Sequence, residues 1–481
     1  MRIPTRASLT LVPLAAIGVI GATAVAVRFL ADSGWEILAA LVAATVFAAT
    51  MFLLPVGWLP AAAVVAFAVV PNRLVPSESI FNALPPISLI LAIWVFRRLV
   101  LGQSPPTGGL PAPTTPPALR IGTWIAAAAF LAWSLLTAVR SEYSDTGFSW
   151  LSSLTVGMLL PLLVPDARAE ARTLRSTWLV VGLVAGAYAA VEVVLQGSPV
   201  WGTLYDALGY GSSQHWSVYR AEVSFGHPLF AAAFLTPAAL LGIGSWLASG
   251  RTWHLVAGLV AAVGVVATVS RGAILAVALG AGLALVLALT VIPRRPSRRV
   301  AQLTALAVVG GIGVLNFPAL TARMDSLDAV RSSQARDIAT EVTMRAAANA
   351  GWLGSGPGTS GISGREIYDV VIENSLFQLL ISVGVPGLAL FLALIGLLLL
   401  TAARRGDVAS AAALAGYVIA ITGFNAIDAV RALHLMLGLL LILTLHGAPA
   451  PRLHRPPLFP RSPQETRFEI APGPSRLLSR S

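Results

Sequence analysis

The sequence contains no cysteine and no lysine, and only 11% of its 481 residues are charged. The lack of cysteine excludes disulfides, thiolate metal sites and cysteine nucleophiles. The 6 histidines are scattered, without the short spacings of a histidine-built metal site. A GxxxxGKS/T phosphate loop is also missing, which argues against an ATP-driven pump.

Hydrophobic residues, in contrast, make up 56% of the chain, and apolar runs of bilayer-spanning length recur along it. One span needs about 20 such residues. The pattern predicts an all-α integral membrane protein, a multi-span bundle of about 12–14 transmembrane helices. The number of helices is a range because the run 57–71 is short and the run 80–96 is interrupted by Pro85-Pro86. The runs are 9–29, 37–54, 57–71, 80–96, 119–139, 149–164, 177–195, 227–249, 252–269, 272–292, 301–317, 374–402, 408–427 and 430–446.

Arginine placement predicts the orientation of these helices, because short cytoplasmic loops are enriched in basic residues. If the N-terminus is cytoplasmic and the runs alternate, every arginine cluster falls on one side and both termini are cytoplasmic. The first run is interpreted as a retained span rather than a cleaved signal peptide. The net charge of +11 then reflects orientation in a plasma or inner membrane, and it does not indicate nucleic-acid binding.

This assignment divides the chain into a polytopic transmembrane domain, 1–446, and a tail, 447–481. The tail is rich in arginine and proline, which predicts a disordered cytoplasmic segment near anionic lipid headgroups. Residues 103–118 have the composition of a linker. The largest extracytoplasmic loop is 318–373, and a second outer loop covers 196–226.

The outer segments keep arginines where membrane proteins usually lose them. Arg220, Arg271, Arg336 and Arg345 are candidate ligands for an anion such as a diphosphate, since a guanidinium matches two phosphate oxygens at once. Arg271 lies between two apolar runs with almost no loop, a costly place for a charge. The alternatives are that Arg271 only reaches the membrane interface and that Arg220 forms a surface pair with Glu222.

Residues 323–350 have helical spacing, with Leu327, Val330, Ile338 and Val342 near one face. Arg345 is predicted on this apolar face and Arg336 on the opposite one. If the helix is straight, the two arginines cannot both contact one ligand.

Glu373 opens the run at 374–402, where a carboxylate could act as a general base. The alternative is a structural role beside an Asn374 or Ser375 helix cap. Glu366, Tyr368 and Asp369 are other nearby candidates for the base. The glycine-rich turn 354–358 is either plain loop chemistry or a way to bring backbone N–H groups to an oxyanion.

In this order, these motifs resemble the O-antigen ligase and O-antigen polymerase superfamily over about residues 220–400. The resemblance is carried by Arg220 with FGHP at 225–228, TVSRGA at 268–273, Arg336 followed by GSGPG at 354–358, and ENSLFQLL at 373–380 followed by GVPGL at 384–388.

The resemblance implies a helical glycosyltransferase of the GT-C type, acting in cell-surface polysaccharide biosynthesis. Such enzymes move a glycan from a polyprenyl-diphosphate carrier to a hydroxyl acceptor at the extracytoplasmic face, with neither nucleotide sugar nor metal. It implies that Arg220 and Arg271 hold the diphosphate and that Glu373 assists catalysis. Ligases of the family typically carry histidine where this chain has Glu373, so ligase and polymerase both remain open. The main alternative is a transporter or flippase for lipid-linked or anionic substrates.

Overall fold

The computed structural model describes residues 46–70, 83–105, 116–209, 214, 216–292, 297–324 and 327–447. The predicted first span 9–29 and the tail beyond 447 lie outside these residues, as does most of the linker 103–118. Every regular element in the described ranges is a helix, and they contain no strand. The predicted all-α membrane fold is therefore confirmed.

Long apolar helices separated by short turns build the bundle. In chain order they are α1 Val46–Leu53, α2 Leu59–Val69, α3 Ser88–Leu99, α4 Pro117–Arg140, α5 Ser144–Leu154, α6 Arg168–Leu195, α7 Trp201–Ala207, α8 Pro228–Ser249, α9 Thr252–Ala267, α10 Arg271–Val291, α11 Ser297–Leu315, α12 Pro318–Met324, α13 Leu327–Asn349, α14 Ser360–Tyr368, α15 Ser375–Arg404, α16 Val408–Ile421 and α17 His434–His446.

Seven helices in the described residues are long and apolar enough to cross a membrane, or eight if the bent pair Val46–Leu53 and Val56–Val69 is one span. The pair bends by 107° at Pro55, which cannot donate the backbone hydrogen bond that a straight helix requires. Three further apolar helices, α9, α16 and the segment Arg431–His446, are shorter than 18 residues. Several of the predicted runs are therefore shorter or bent helices.

Helix α8 lies at the centre of the bundle, and 89% of its most apolar stretch is buried inside the protein. Glycines let its neighbours approach closely, as small residues do in membrane helix packing. A methyl group on Gly242 would lie 2.5 Å from the Cα of Gly258 in α9, and one on Gly244 would lie 2.5 Å from the Cα of Ala409 in α16. This close packing makes α8 a rigid support for the segment that precedes it.

The two ends of the bundle differ in the polar groups that they carry. At one end, called here the ion-pair end, Arg98 lies 3.2 Å from Glu170 and Arg175 lies 2.5 Å from Asp407. The opposite end, called here the loop end, is formed by the segments 216–227, 327–374 and 422–430. Arg220, Arg336, Arg345 and Glu373 lie in these segments, and Arg271 follows Thr268, whose carbonyl binds Arg220 at the same end.

Candidate functional site

The segment before α8 is fastened to the end of α6 and to the turn between α9 and α10. The buried carboxylate of Glu192 accepts hydrogen bonds from the backbone N–H groups of Glu222 and Val223, at 2.9 and 3.0 Å. The N–H of Ala221 donates to the carbonyl of Ala267, 3.0 Å away. Glu192, the main carboxylate within a predicted run, therefore anchors this segment near the end of its helix.

These bonds bring Arg220 to the α9–α10 turn. Its Nε donates to the carbonyl of Thr268 at 3.0 Å, and its guanidinium lies 4.8 Å from the ring centre of Trp216. Arg220 is 4% exposed and Glu222 is 6% exposed. Both side chains are therefore buried, whereas the alternative placed Arg220 and Glu222 on the surface.

Arg271 is the first residue of α10 and follows Thr268 by three positions, so the fold brings Arg220 and Arg271 to the same junction. Its side chain is half-buried. Within the described residues, its guanidinium makes no hydrogen bond or ion pair. The preceding Val269 has a left-handed backbone with φ of 52°, which is rare for a β-branched residue.

A row of aromatic rings runs from this junction to the 422–430 loop. Successive ring centres are 5.8 Å apart for Trp216 and His227, 5.1 Å for His227 and Phe230, and 6.1 Å for Phe230 and Phe424. The Nδ1 of His227 accepts a hydrogen bond from the N–H of Leu229, 3.2 Å away. His227 thus caps α8.

A cavity of about 230 Å³ opens where α13, the start of α15 and the end of α16 meet. Arg336 and Glu373 both line it, and both are exposed. Glu366, Tyr368 and Asp369, the alternative bases, are not among its lining residues. The lining residues are Ala335, Arg336, Ala339, Thr340, Val371, Glu373, Asn374, Phe377 and Thr422.

The two arginines of α13 are placed in the reverse of the predicted arrangement. The buried face of α13 is formed by Ala339, Val342 and Ala346, which pack against α15. Arg336 borders this face and reaches the cavity. Arg345 points away from it, is 58% exposed and binds Glu341 at 2.7 Å. Small alanine side chains, which carry little hydropathy signal, decide which face is buried.

The glycine turn 354–358 fills a break in α15. The break is at Gly384, whose backbone has φ 68° and ψ −174°, and Pro386 follows it. Proline has no N–H, so a helical carbonyl is left without its partner. The N–H groups of Ser355 and Gly356 donate to the carbonyls of Ile381 and Ser382, each at 2.9 Å.

These bonds overturn the oxyanion interpretation for Ser355 and Gly356, because their N–H groups already have acceptors inside the protein. The turn is a structural part that rigidifies α15. The hydroxyl of Ser141 adds a 2.7 Å bond to the Ser355 carbonyl, and Trp133 Nε1 adds another of 2.7 Å to Val383.

Asn374 caps α15, since its side-chain oxygen accepts from the N–H groups of Leu376 and Phe377 at 2.9 and 3.3 Å. The cap interpretation is therefore correct for Asn374. The capping role leaves the neighbouring Glu373 carboxylate exposed to the cavity.

Sequence reasoning missed a buried polar group centred on Asp428, in the 422–430 loop whose first residue, Thr422, lines the cavity. One carboxylate oxygen of Asp428 accepts from the hydroxyl of Ser382 at 2.5 Å and from the N–H of Ser360 at 3.4 Å. Burial raises the pKa of Asp428, although these hydrogen bonds and the charge of Arg431 oppose the shift. The available signal was an aspartate between two apolar runs, with Arg431 at the start of the second run, much like the signal that identified Arg271.

The loop end thus combines a junction carrying two arginines with a cavity carrying a third arginine and a carboxylate. Guanidinium groups can bind phosphate oxygens, and an exposed carboxylate can accept a proton from a hydroxyl. Thr422 lines the cavity. A methyl group on Gly272, next to Arg271, would lie 3.7 Å from the Cα of Gly423. The arrangement suits chemistry between an anionic group and a hydroxyl.

One comparison with known proteins finds a match to this chain. No curated protein matches the chain. A family model described as O-Antigen ligase matches residues 256–392, a segment that contains Arg271, Arg336, Arg345 and Glu373. The resemblance stated from the motifs is therefore confirmed over this segment, which is similar to the O-antigen ligase family.

Proposed function

We propose that this protein is a membrane glycosyltransferase of cell-surface polysaccharide biosynthesis. It transfers a glycan from a polyprenyl-diphosphate carrier to a hydroxyl acceptor at the extracytoplasmic face of a plasma or inner membrane. The proposal rests mainly on one observation: Arg336 and Glu373, 37 positions apart in the sequence, line the same cavity at the loop end. Both lie inside the segment that matches the O-Antigen ligase family.

Arg220 and Arg271 bind the diphosphate of the donor. Arg271 has a guanidinium with no partner in the described residues, and Arg220 holds the adjoining turn through the Thr268 carbonyl. Arg336 contributes a third positive charge at the cavity. Arg345 is left out of the proposed site because it points away from the cavity and is bound to Glu341.

The reaction is a single displacement. The oxygen of the acceptor hydroxyl forms a bond with the anomeric carbon of the donor sugar, while the bond from that carbon to the phosphate oxygen breaks. The acceptor proton passes to the carboxylate of Glu373, and polyprenyl diphosphate leaves. Arginines placed at the leaving group stabilise the negative charge that develops on it.

The size of the cavity supports a site for the reacting sugars alone. Pockets for drug-sized ligands are roughly 300–1,000 Å³, whereas this cavity is about 230 Å³. It can hold the reacting part of a substrate, with the remaining glycan and the lipid outside it. Both ligase and polymerase activity are compatible with such a site, since they differ in the acceptor.

The distribution of charge favours transfer over transport. Transporters place charged residues near the middle of the bilayer. In the described spans, charged residues lie near helix ends, as Glu170 and Glu192 do at the two ends of α6. Glu192 binds backbone N–H groups and is unavailable to line a transport path.

The test is transfer from a purified lipid-linked glycan to an acceptor by the protein in proteoliposomes. Arg271→Ala is expected to lower the transfer rate by about 100-fold or more, and Glu373→Gln by about 100-fold or more. The same rate measurement on Arg336→Ala should also show a large loss.

Arg345→Ala is the matched control, because it removes the same charge from the same helix on the side away from the cavity. It should keep a rate within about threefold of the unchanged protein, as surface ion pairs contribute little. Full activity of both Arg271→Ala and Glu373→Gln would remove the proposed roles.

A further inference from the structure

The first part of α15 is a short rigid piece that carries Glu373 at its head. This piece, residues 375–383, begins at the Asn374 cap and ends at the non-helical Gly384. In its last turn, the carbonyls of Ile381 and Ser382 are bound by the glycine turn 354–358. The direction in which Glu373 points therefore depends on how this piece is held.

One face of the piece is polar although it lies within a spanning helix. Ser375, Gln378 and Ser382 are three and four positions apart, a spacing that places them on the same side of a helix. All three are buried, at 0%, 3% and 0% exposure. Buried polar groups are tolerated when they are hydrogen-bonded, so this face requires a partner with matching groups.

The 422–430 loop supplies that partner. The hydroxyl of Ser375 donates to the Phe424 carbonyl at 2.9 Å and accepts from the Ala426 N–H at 3.0 Å. The side-chain oxygen of Gln378 accepts from the N–H of Asp428 at 3.2 Å. The carboxylate of Asp428 accepts from the hydroxyl of Ser382 at 2.5 Å. These bonds fix the rotation of the piece about its own axis.

Asp428 also connects the piece to its surroundings. Its carboxylate accepts from the N–H of Ser360 at the start of α14. The amide of Gln378, which binds the Asp428 backbone, donates to the Ile372 carbonyl at 3.2 Å. Ile372 is next to Glu373 in the chain. The backbone N–H of Asp428 is therefore linked through Gln378 to the residue beside Glu373.

We propose that Asp428 is a positioning residue that holds Glu373 against the cavity by locking the 375–383 piece to the 422–430 loop. Asp428 is buried and does not line the cavity. Its carboxylate acts through Ser382 and Ser360, and its backbone N–H acts through Gln378, without touching substrate. The inference rests on the proposed function, because it gives Glu373 its orientation for the transfer reaction.

The experiment measures kcat, KM and amide hydrogen exchange for the full chain in proteoliposomes. Asp428→Ala is expected to lower kcat by about 100-fold, the cost of misplacing a reacting group by about 1 Å, with KM nearly unchanged. Exchange in residues 375–383 should become at least about tenfold faster, since the bond from Ser382 to the loop is lost. Asp428→Asn should keep kcat within about threefold, because its amide oxygen can accept the same two hydrogen bonds.

Asp145→Ala is the matched control, since it removes one exposed carboxylate beside Thr146, which lies next to Gly358 at the loop end, and it should change neither measurement. If Asp428→Ala does not fold, Ser382→Ala removes the same bond from the other side and should give the same pattern at smaller size. A fall in kcat without faster exchange at 375–383, or faster exchange without a fall in kcat, would overturn the proposal.

The experiment distinguishes a failure of the positioning role from a failure of the proposed transfer function. If the unchanged protein transfers no glycan, the proposed function is wrong, and the inference about Asp428 fails with it even where exchange at 375–383 increases. If the unchanged protein is active and Asp428→Ala matches it in kcat, only the positioning role is wrong.

Discussion

Two unfavourable features meet at Arg271. As the first residue of α10, it places a positive charge at the positive end of the helix dipole, which costs about 0.3–1 kcal/mol. The preceding Val269 adds backbone strain, with φ of 52°, at a cost on the order of 1–3 kcal/mol. A bound anion at this junction would offset the first cost, and strain of this kind is concentrated at functional sites.

The buried carboxyl of Asp428 predicts a specific pH dependence of stability. Burial raises its pKa above the usual 3.8, with Ser382, Ser360 and Arg431 as the opposing partners. The folded protein therefore binds this proton more tightly than the unfolded chain. Stability from this group is complete below about pH 3.8 and is lost as pH rises toward the raised pKa.

Asp428→Asn removes this titration and should flatten the dependence by at most about 1.4 kcal/mol per pH unit. The measurement is thermal unfolding in detergent of the original and variant proteins from pH 4 upward, with the difference in melting temperature plotted against pH. The variant should gain relative stability as pH rises. A difference that is constant over the whole range would show that Asp428 does not titrate there.

Individual site residues were partly predictable from sequence. The hydropathy pattern was enough to select Arg271, because a charge between two apolar runs is visible without a structure. The orientation of Arg336 and Arg345 was not, since the buried face of α13 is set by Ala339, Val342 and Ala346 against Ile372 and Ile381 of other segments. Such a face depends on tertiary packing, which the apolar residues of one helix do not determine.

At the scale of elements, the break in α15 is a defined structural feature that the glycine turn complements. Gly384 has a φ of 68° and a ψ of −174°, a conformation essentially restricted to glycine. A methyl group there would lie 2.4 Å from the Trp352 carbonyl oxygen. The glycine turn and the break thus fit each other, and neither can change without the other.

Gly384→Ala is therefore expected to destabilise the protein by roughly 1–3 kcal/mol or more and to lower the transfer rate. Gly396→Ala is the control in the same helix, since a methyl group at Gly396 meets nothing within 4 Å. It should be neutral or stabilise by up to about 1 kcal/mol through helix propensity. Melting temperatures of the two variants in detergent check the difference, and equal values would contradict the fitted break.

The elements themselves were predictable in position but less so in shape. The apolar runs beginning at 227, 252, 272 and 374 correspond to α8, α9, α10 and α15. The 107° bend at Pro55 and the break at Gly384 were not predicted. Hydropathy measures transfer into the bilayer, whereas these distortions arise from a few backbone positions and the partners that satisfy them.

For the whole molecule, the contacts divide the charged and polar groups between two ends. The ion-pair end holds Arg98 with Glu170 and Arg175 with Asp407, and the loop end holds the junction and the cavity. Arginine placement in the sequence assigned the residues of the ion-pair end to the cytoplasmic side and those of the loop end to the outer side. Since basic residues remain in the cytoplasm, the loop end is expected to face outward.

Cysteine labelling can test this orientation directly, because the chain contains no cysteine of its own. Glu142 is exposed next to Ser141, which binds the glycine turn at the loop end. Arg251 is exposed at the start of α9, near Leu247, which accepts a hydrogen bond from Arg299 at the ion-pair end.

With a membrane-impermeant maleimide, Glu142→Cys should react in intact cells, and Arg251→Cys only after permeabilisation. The unchanged chain is the control without label. The reverse pattern would place the cavity on the cytoplasmic side and exclude transfer at the outer face, whereas equal labelling of both variants in intact cells would exclude the alternation of the helices.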